Sequence, residues 1–234
     1  MGLAEEIDLD NFLRNFALMR IYPSKQKGIT LRGKYEFFAE PDNGKEIISD
    51  SYELEINISG KLPFTLPIVK EIGGRIPNNP DLHINENQSI CLGSSVQLLS
   101  ILFQNPTLDE FARKCITPYL YAVSYKALYG GEFIFGELSH GPAGLVEDYK
   151  KHFNVKTKQQ VIEVLLLISL RLRVANKKKC PCGCAIRLGK CNYNKLIKNF
   201  RSMAPRSWYR KEYENLSYYY LYNHSNPHKY SSMH

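Results

Sequence analysis

The sequence predicts an α+β protein built around an antiparallel sheet with flanking helices. Three strand-like runs, at residues 29–39, 51–59 and 64–72, follow one another with only short turn-forming segments between them. Connections this short favour an antiparallel meander, because parallel strands need long crossovers. Segments with apolar residues at helical spacing precede and follow the runs. The predicted order is therefore helix, strands, irregular loop and helices.

The first predicted element is an amphipathic helix over residues 5–19. Its apolar residues recur every three or four positions: Leu9, Phe12, Leu13, Phe16 and Met19. This spacing predicts one buried face, and the following Pro23 ends the helix.

The middle strand-like run predicts one buried and one exposed face. Apolar residues alternate there with polar ones, at Tyr52, Leu54, Ile56 and Ile58 against Glu53, Glu55 and Asn57. A period of two is typical of a strand in a sheet that has one face on the core. Turn-forming segments at residues 41–44 and 60–63 bound the run.

An irregular segment, residues 73–93, separates the strands from the helices. Long irregular segments in compact domains often carry function. Thr107 and Glu110 then have the spacing of a capping box that opens a helix. Pro118 either kinks this helix or restarts it, and Gly130 ends the region. The apolar run at residues 159–174 predicts a further helix.

The composition is that of a globular chain with a basic C-terminal region. Among 234 residues, 44% are hydrophobic and 23% charged, which excludes collagen-like and largely disordered classes. The longest apolar stretch has seven residues, whereas a membrane span needs about 20. The N-terminus is acidic and so unlike a signal peptide. These features predict a cytoplasmic protein that does not interact with membranes.

Positive charge is concentrated at the C-terminal end. Residues 171–234 carry a net charge of +12, residues 1–170 carry −4, and half of the 16 tyrosines lie in the basic part. Basic residues interleaved with aromatic ones can contact phosphates and stack on bases. The tail is therefore interpreted either as a nucleic-acid contact or as a solvated surface that docks on the acidic body.

Four of the six cysteines lie within twelve residues: Cys180, Cys182, Cys184 and Cys191. Such a cluster in a cytosolic chain indicates a metal site and not disulfides. The other two cysteines stand alone. Cys115 shares a predicted helix face with Leu108 and Phe111, so it is expected to be buried.

The centre of the chain, GKLPFTLPIVKEIGGRIPNNPDLHINENQSICLG, resembles ubiquitin-conjugating enzymes. In that family a helix and a strand meander lead to a proline-containing turn, then to a loop with the nucleophilic cysteine. Residues 62–67 (Leu-Pro-Phe-Thr-Leu-Pro) match the turn, and Ile90-Cys91-Leu92 match the nucleophile. The resemblance covers residues 5–130, and it implies the ubiquitin-conjugating fold.

The chain departs from the family pattern before the cysteine. His83 occupies the position of the family's oxyanion-stabilising Asn, and Asp81 and Leu82 replace its His and Pro. In this respect the chain is similar to divergent bacterial relatives that are encoded beside antiviral signalling nucleotidyltransferases (the CBASS type). Residues 136–141 and 144–149 resemble that group as well.

The resemblance implies a transferase in which Cys91 carries a partner's C-terminus as a thioester. Such a nucleophile must be partly exposed, and a donor near the sulfur stabilises the oxyanion. His83 can donate and also accept a proton. His140 is the candidate base for the attacking nucleophile. The implied partner is a cGAS-like nucleotidyltransferase or a ubiquitin-like protein with a flexible C-terminus. Either a separate activating enzyme supplies the ATP step, or the partner already carries an activated C-terminus.

Two other functions remain open from the sequence. Cys91 with His83 or His140 could form a thiol hydrolase, although no recognised protease signature surrounds Cys91. Alternatively, the chain is a non-catalytic binding module, with Cys91 as a small buried hydrophobe and His83 shaping the loop.

The cysteine cluster resembles the SEC-C zinc motif. Cys180, Cys182 and Cys191 match three of its ligands, while Asn192 stands where the fourth is expected. The fourth ligand is then Cys184, or else a histidine of the tail (His224 or His228). A closed site with four ligands is structural. The predicted organisation is a catalytic domain at residues 1–175 and a basic zinc-binding tail at residues 176–234.

Overall fold

The structure, a computed structural model, describes residues 2–23, 27–41, 46–131, 133 and 141–225. The chain forms two compact units, unit 1 over Met1–His140 and unit 2 over Gly141–His234. The domain boundary expected after residue 175 lies inside unit 2. The reason is that the helix before that boundary hydrogen-bonds to the tail: Gln160 Nε2 donates to the Pro181 carbonyl at 2.7 Å.

Unit 1 has the α+β architecture that the sequence predicts. Its elements are α1 (Leu3–Glu6), α2 (Leu9–Asn15), β1 (Met19–Tyr22), β2 (Ile29–Ala39), β3 (Ile48–Ile58), β4 (Ile68–Glu71), α3 (Ser95–Leu102), α4 (Leu108–Phe111) and α5 (Thr117–Tyr129). The four strands form one antiparallel sheet in the order β1-β2-β3-β4. The short connections explain this order, because each strand pairs with the next one in the chain.

The alternating pattern of β3 sets which face of the sheet meets the core. Tyr52, Leu54, Ile56 and Ile58 are all buried, and Leu31 of β2 pairs with Ile56. The intervening Glu53 is exposed. The predicted division into a buried and an exposed face is confirmed.

The N-terminal prediction of one helix is wrong in part. Asp8 has a left-handed backbone (φ 53°) that separates α1 from α2, and Met19 pairs with Gly33 as the first residue of β1. A Cβ on Gly33 would lie 2.2 Å from the Leu18 carbonyl oxygen. Glycine therefore lets the chain approach β2 here, which helical spacing alone did not reveal.

The helical segment after residue 107 follows the capping prediction. Thr107 Oγ1 accepts a hydrogen bond from the Glu110 amide at 3.2 Å. A π-helical stretch, Ala112–Ile116, joins α4 to α5, and Pro118 lies in the first turn of α5. The backbone at Ile116 and Thr117 is right-handed helical, so the helix does not restart with Thr117 as a cap. Pro118 instead interrupts the regular hydrogen bonding of a continuous helix, and the wider π-helical turn lies directly before it.

A hydrogen-bonded network joins α5 to the sheet. Ser124 Oγ of α5 donates to Asp50 Oδ2 at 2.7 Å, and the Tyr52 hydroxyl lies 2.8 Å from Ser124 Oγ. Arg75 donates to both carboxylate oxygens of Asp50, at 2.8 and 3.0 Å. Burial raises the pKa of Asp50, but the hydrogen bonds from Arg75 and Ser124 outweigh it and hold the pKa below its usual value.

Unit 2 contains five helices and a short hairpin within the described residues. The helices are α6 (Gly141–Phe153), α7 (Lys158–Ser169), α8 (Leu172–Ala175), α9 (Asn194–Met203) and α10 (Arg206–Ser225). The helix predicted at 159–174 ends earlier, at Ser169, because Leu170 has an extended backbone (φ −79°, ψ 161°). Arg201 donates to the carbonyls of Leu167 and Leu170 at this end, at 2.6 and 2.7 Å. A cation at this end stabilises the exposed carbonyl groups. Among the described residues, no helix has the length and apolar character of a membrane span.

Candidate active site and metal centre

Cys91 lies on a small hairpin that follows β4. Ile84 and Ile90 form an antiparallel bridge, and the Cys91 amide donates to the His83 carbonyl at 2.7 Å. The Ile90 amide donates to the carbonyl of Val69 in β4 at 2.8 Å. The hydrogen bond to β4 therefore holds the backbone next to Cys91 in place.

Polar residues close the turn of this hairpin. The Asn85 amide donates to the Ser89 carbonyl at 2.8 Å, and the Asn85 side chain donates to Ser89 Oγ at 2.9 Å. Ser89 Oγ in turn donates to Asn87 Oδ1 at 2.6 Å. Asn and Ser side chains stabilise turns in this way, which explains why the irregular segment is rich in these residues.

Cys91 is half-buried, whereas Cys115 is only 5% exposed. The prediction that Cys115 is buried is confirmed, and burial raises its pKa to about 12. Burial keeps Cys115 in the unreactive thiol form. After Cys91 the chain turns at Gly93 (φ 131°) and enters α3, whose first turn is capped by Ser94 Oγ.

His83 has its backbone beside Cys91 and its ring in the core. It adopts a left-handed conformation (φ 56°) and is 6% exposed. Its ring centroid lies 4.9 Å from that of Phe133. His83 thus shapes the loop through its carbonyl, which accepts the hydrogen bond from the Cys91 amide. The catalytic role of its imidazole stays a prediction.

Tyr119 is a member of this site that the sequence reasoning missed. Its hydroxyl donates to the carbonyl of Leu82 at 2.7 Å, directly before His83. Burial is the main reason why the pKa of Tyr119 is raised, with smaller contributions from Tyr52 and Cys91. Its position four residues after Cys115 is the sequence signal for burial, since both lie on the apolar face of the helix.

His140, the candidate base, lies outside the described residues. Of the predicted catalytic residues, His83 and Cys91 are brought together by a backbone hydrogen bond. Tyr119 from α5 lies in the same region, through its bond to Leu82.

The four clustered cysteines converge on one point. All four sulfurs lie within 4.8 Å of one another. The Sγ–Sγ distances are 3.2 Å between Cys180 and Cys182, 3.7 Å between Cys182 and Cys191, and 3.6 Å between Cys184 and Cys191. None of the cysteines forms a disulfide. Sulfurs about 2.3 Å from one tetrahedral zinc ion are about 3.8 Å apart, so this set can hold a metal ion.

The backbone also contacts one of the cluster sulfurs. Cys191 Sγ accepts a hydrogen bond from the Tyr193 amide at 3.4 Å. Amide hydrogen bonds stabilise thiolates and orient metal ligands. Burial is the largest contribution to the raised pKa of Cys180. A bound cation would favour the thiolate form of these cysteines.

The fourth ligand position is filled by Cys184, the residue that departs from the resembled motif. A hairpin brings it there: the Cys180 amide donates to the Ile186 carbonyl at 2.9 Å, and Gly183 has a φ of 88°. The side chain of His224 and all of His228 lie outside the described residues.

Comparisons with protein-family models, curated proteins and solved structures found no match to this chain. Its chemistry is therefore inferred from residues and geometry. The chain offers one half-buried thiol on a rigid hairpin and one cluster of four thiols that can bind a metal ion.

Proposed function

We propose that the chain is a ubiquitin-conjugating-like transferase. Cys91 accepts the C-terminal carboxyl group of a partner protein as a thioester and passes it to an amine or another nucleophile. The observation that carries this proposal is the half-buried Cys91 on a hairpin directly after a four-stranded antiparallel meander. The order of helix, meander, cysteine loop and helices is also the order that the family resemblance implies.

The sulfur chemistry fits this position. In the first step a thiolate attacks an activated C-terminal carbonyl and the activating group leaves, which forms the thioester. In the second step a nucleophile attacks the same carbonyl and the Cys91 thiolate leaves. Both steps require a sulfur that another polypeptide can reach, and Cys91 satisfies this requirement better than Cys115, which is 5% exposed.

The surroundings of Cys91 supply positioning. The Tyr119 hydroxyl donates to the Leu82 carbonyl at 2.7 Å, and the Cys91 amide donates to the His83 carbonyl at 2.7 Å. We assign His83 the additional role of stabilising the oxyanion. The assignment follows from the family resemblance and from the position of His83 beside Cys91, whose amide donates to the His83 carbonyl at 2.7 Å.

The four-cysteine cluster binds a structural zinc ion in this proposal. Cys180, Cys182, Cys184 and Cys191 would hold it, and four thiolate ligands leave no open position for substrate. The ion would supply folding free energy to a hairpin with few apolar residues of its own. Catalysis is therefore assigned to Cys91 and its surroundings and not to the metal site.

The proposed partner is a protein with a flexible C-terminus, of the cGAS-like nucleotidyltransferase type or a ubiquitin-like protein, in antiviral defence. The sequence contains no Gly-rich phosphate loop. Activation of the C-terminus is therefore assigned to a separate ATP-dependent enzyme.

The test is intact-mass analysis of the chain after incubation with candidate partners, activating enzyme and ATP. We expect an adduct that a thiol reductant releases, and we expect Cys91→Ala to abolish it. Cys115→Ala is the matched control, because it also removes one thiol but leaves the adduct. Cleavage of the partner without an adduct would favour the hydrolase, and full biological activity of Cys91→Ala would favour a binding module.

A further inference from the structure

Unit 2 carries a stretch of chain in which positive charge has no local counterpart. Residues 171–211 contain thirteen Lys and Arg and no Asp or Glu. Within the described residues, none of the thirteen takes part in an ion pair with a carboxylate. The first acidic residue after the stretch, Glu212, accepts a hydrogen bond from the Tyr149 hydroxyl at 2.6 Å.

Seven of these cations are exposed on the cysteine hairpin and on α9, and we call them the basic surface. They are Lys177, Lys178, Lys179, Arg187, Lys190, Lys195 and Lys198. Arg201 is not part of the basic surface, because its guanidinium donates hydrogen bonds to the carbonyls of Leu167 and Leu170.

Backbone pairing makes the basic surface continuous in space. Lys179 lies opposite Arg187 in the hairpin, and the Leu188 amide donates to the Lys178 carbonyl at 2.9 Å. Lys190 follows through a bond from its amide to the Arg187 carbonyl at 3.0 Å. The neighbouring helix α9 then presents two further lysines, which lie three positions apart on its exposed face.

This arrangement costs stability in the isolated chain. Like charges directly opposite each other in a hairpin repel, as do like charges three or four apart on a helix. Four thiolates with one zinc ion carry a net charge of about −2, which offsets only part of the five hairpin cations. A polyanion that lies along the surface would relieve the remaining repulsion.

We infer that the basic surface of unit 2 binds the phosphate backbone of a nucleic acid. The inference goes beyond the proposed transferase activity and does not depend on it. The five residues on the hairpin and the two on α9 each contribute one positive charge, and no acidic residue occurs in this stretch of the sequence. Proteins contact phosphates with positive charges of this kind. Protein–protein interfaces, by contrast, are depleted in lysine, and six of the seven residues are lysines.

On α9, a membrane surface fits the basic surface less well. On the hairpin, Ile186 is 47% exposed, so a measurement of vesicle binding is a required part of the test. Interfacial helices insert an apolar face into the lipid. The apolar residues of α9 at the core, Ile197 and Phe200, are 0% and 5% exposed, so they are not free to insert. The exposed face of α9 is polar, with Lys195, Lys198 and Asn199.

The test is fluorescence anisotropy of the full chain, loaded with zinc, against a labelled single strand of about 20 thymidines. Log K should fall linearly with log salt between about 50 and 200 mM, with a slope of up to about −5 for seven phosphate contacts. The triple substitution K177Q/K178Q/K179Q should reduce the magnitude of the slope by about 2 and weaken binding about tenfold.

The matched control removes three lysines of unit 1: K34Q/K61Q/K114Q. These lysines pair with Glu36, Glu6 and Glu110 at 2.9, 3.0 and 2.6 Å. Both triple variants lower the net charge equally, so only a defined surface predicts that the control retains affinity. Equal losses in the two variants would overturn the inference.

A second variant guards against damage to the cysteine hairpin. K195Q/K198Q changes only the exposed face of α9, and it should reduce the salt slope by about 1.4 while zinc content stays at that of the wild type. An unchanged slope would contradict the inference. So would tighter binding to poly-glutamate or to phosphatidylserine vesicles than to the oligonucleotide, since these results would indicate an acidic protein or a membrane.

Discussion

Cys91 and the four-cysteine cluster place the same type of side chain in two different surroundings. Cys91 is half-buried on a hairpin that hydrogen-bonds to β4, and its backbone amide donates to the His83 carbonyl. In the cluster each sulfur lies within 4.8 Å of the other three. The proposed function requires the Cys91 sulfur to be reachable by a substrate, whereas the four cluster sulfurs converge on one point.

The cysteine hairpin differs from the apolar parts of both units in what stabilises it. Unit 1 buries a continuous apolar core between its sheet and helices, with Tyr35, Leu54 and Phe111 fully buried. The cysteine hairpin of unit 2 buries mainly Cys180, Pro181 and Leu188. A metal ion bound to the four cysteines would add folding free energy to a hairpin that buries so few apolar residues. The difference predicts that metal removal affects unit 2 and spares unit 1.

The largest expected effect is therefore that of metal loss. Zinc binding to such a site contributes on the order of 10–16 kcal/mol near neutral pH. Cys182→Ser should reduce the zinc content from one equivalent and remove hydrogen-exchange protection from the hairpin amides of Cys180 and Leu188, which donate to the carbonyls of Ile186 and Lys178. Elemental analysis and hydrogen exchange measure both effects.

The matched control for metal loss is Cys91→Ser, which also removes one thiol. It should retain a full equivalent of zinc. If Cys91→Ser and Cys182→Ser lowered the zinc content equally, the division into a reactive thiol and a metal centre would be wrong.

A second prediction concerns alkylation of the zinc-loaded chain with iodoacetamide near pH 8. We expect one modification, at Cys91, because the cluster sulfurs are engaged and Cys115 has its pKa raised to about 12 by burial. Peptide mapping identifies the labelled residue. Labelling of Cys115 at the same rate would show that its burial does not protect it.

The third prediction concerns acid stability of unit 1. Asp50 has a lowered pKa in the folded state, so its stabilisation is complete above its unfolded value of about 3.9 and is lost as the pH falls through the folded value. Asp50→Asn should cost about 1–2 kcal/mol at pH 7, because it removes the charged partner of Arg75 and Ser124.

Denaturant unfolding at neutral and at acidic pH measures this contribution. The Asp50→Asn variant should lose less stability than the wild type between about pH 5 and pH 3. If both proteins lost the same free energy of unfolding on acidification, carboxylates other than Asp50 would be responsible for the acid sensitivity.

The smallest effect is expected for Tyr119→Phe, which keeps the ring and removes the hydroxyl that holds Leu82. The lost hydrogen bond should cost about 1 kcal/mol of stability and slow adduct formation about fivefold. Tyr121→Phe is the control, since it removes the bond from the Tyr121 hydroxyl to the Glu46 carbonyl, on another loop. Equal slowing in the two variants would contradict a positioning role for Tyr119.

The sequence was informative wherever local patterns decide the structure. The alternation in β3, the Thr107 cap and the cysteine spacing all predict what the structure contains. The sequence missed β1, because four residues carry too weak a period. It also missed contacts between distant residues, since Tyr119 meets a carbonyl 37 positions away and Ser124 meets a carboxylate 74 positions away.

The candidate active site shows the same division. The cysteine and its loop can be recognised from local residue types, and the position of His83 follows from counting back eight residues. The left-handed backbone of His83 and its ring contact with Phe133 depend on tertiary packing. Residue spacing carries no information about either feature.

The most direct measurement of the central claim compares the wild type with Cys91→Ser in the presence of partner, activating enzyme and ATP. A serine at this position would form an oxygen ester in place of the thioester, and oxygen esters do not exchange with thiols. We predict that reductant releases the wild-type adduct and leaves the Cys91→Ser adduct intact, as read by intact mass. A wild-type adduct that survives reductant would contradict the assignment of Cys91 as the acyl carrier.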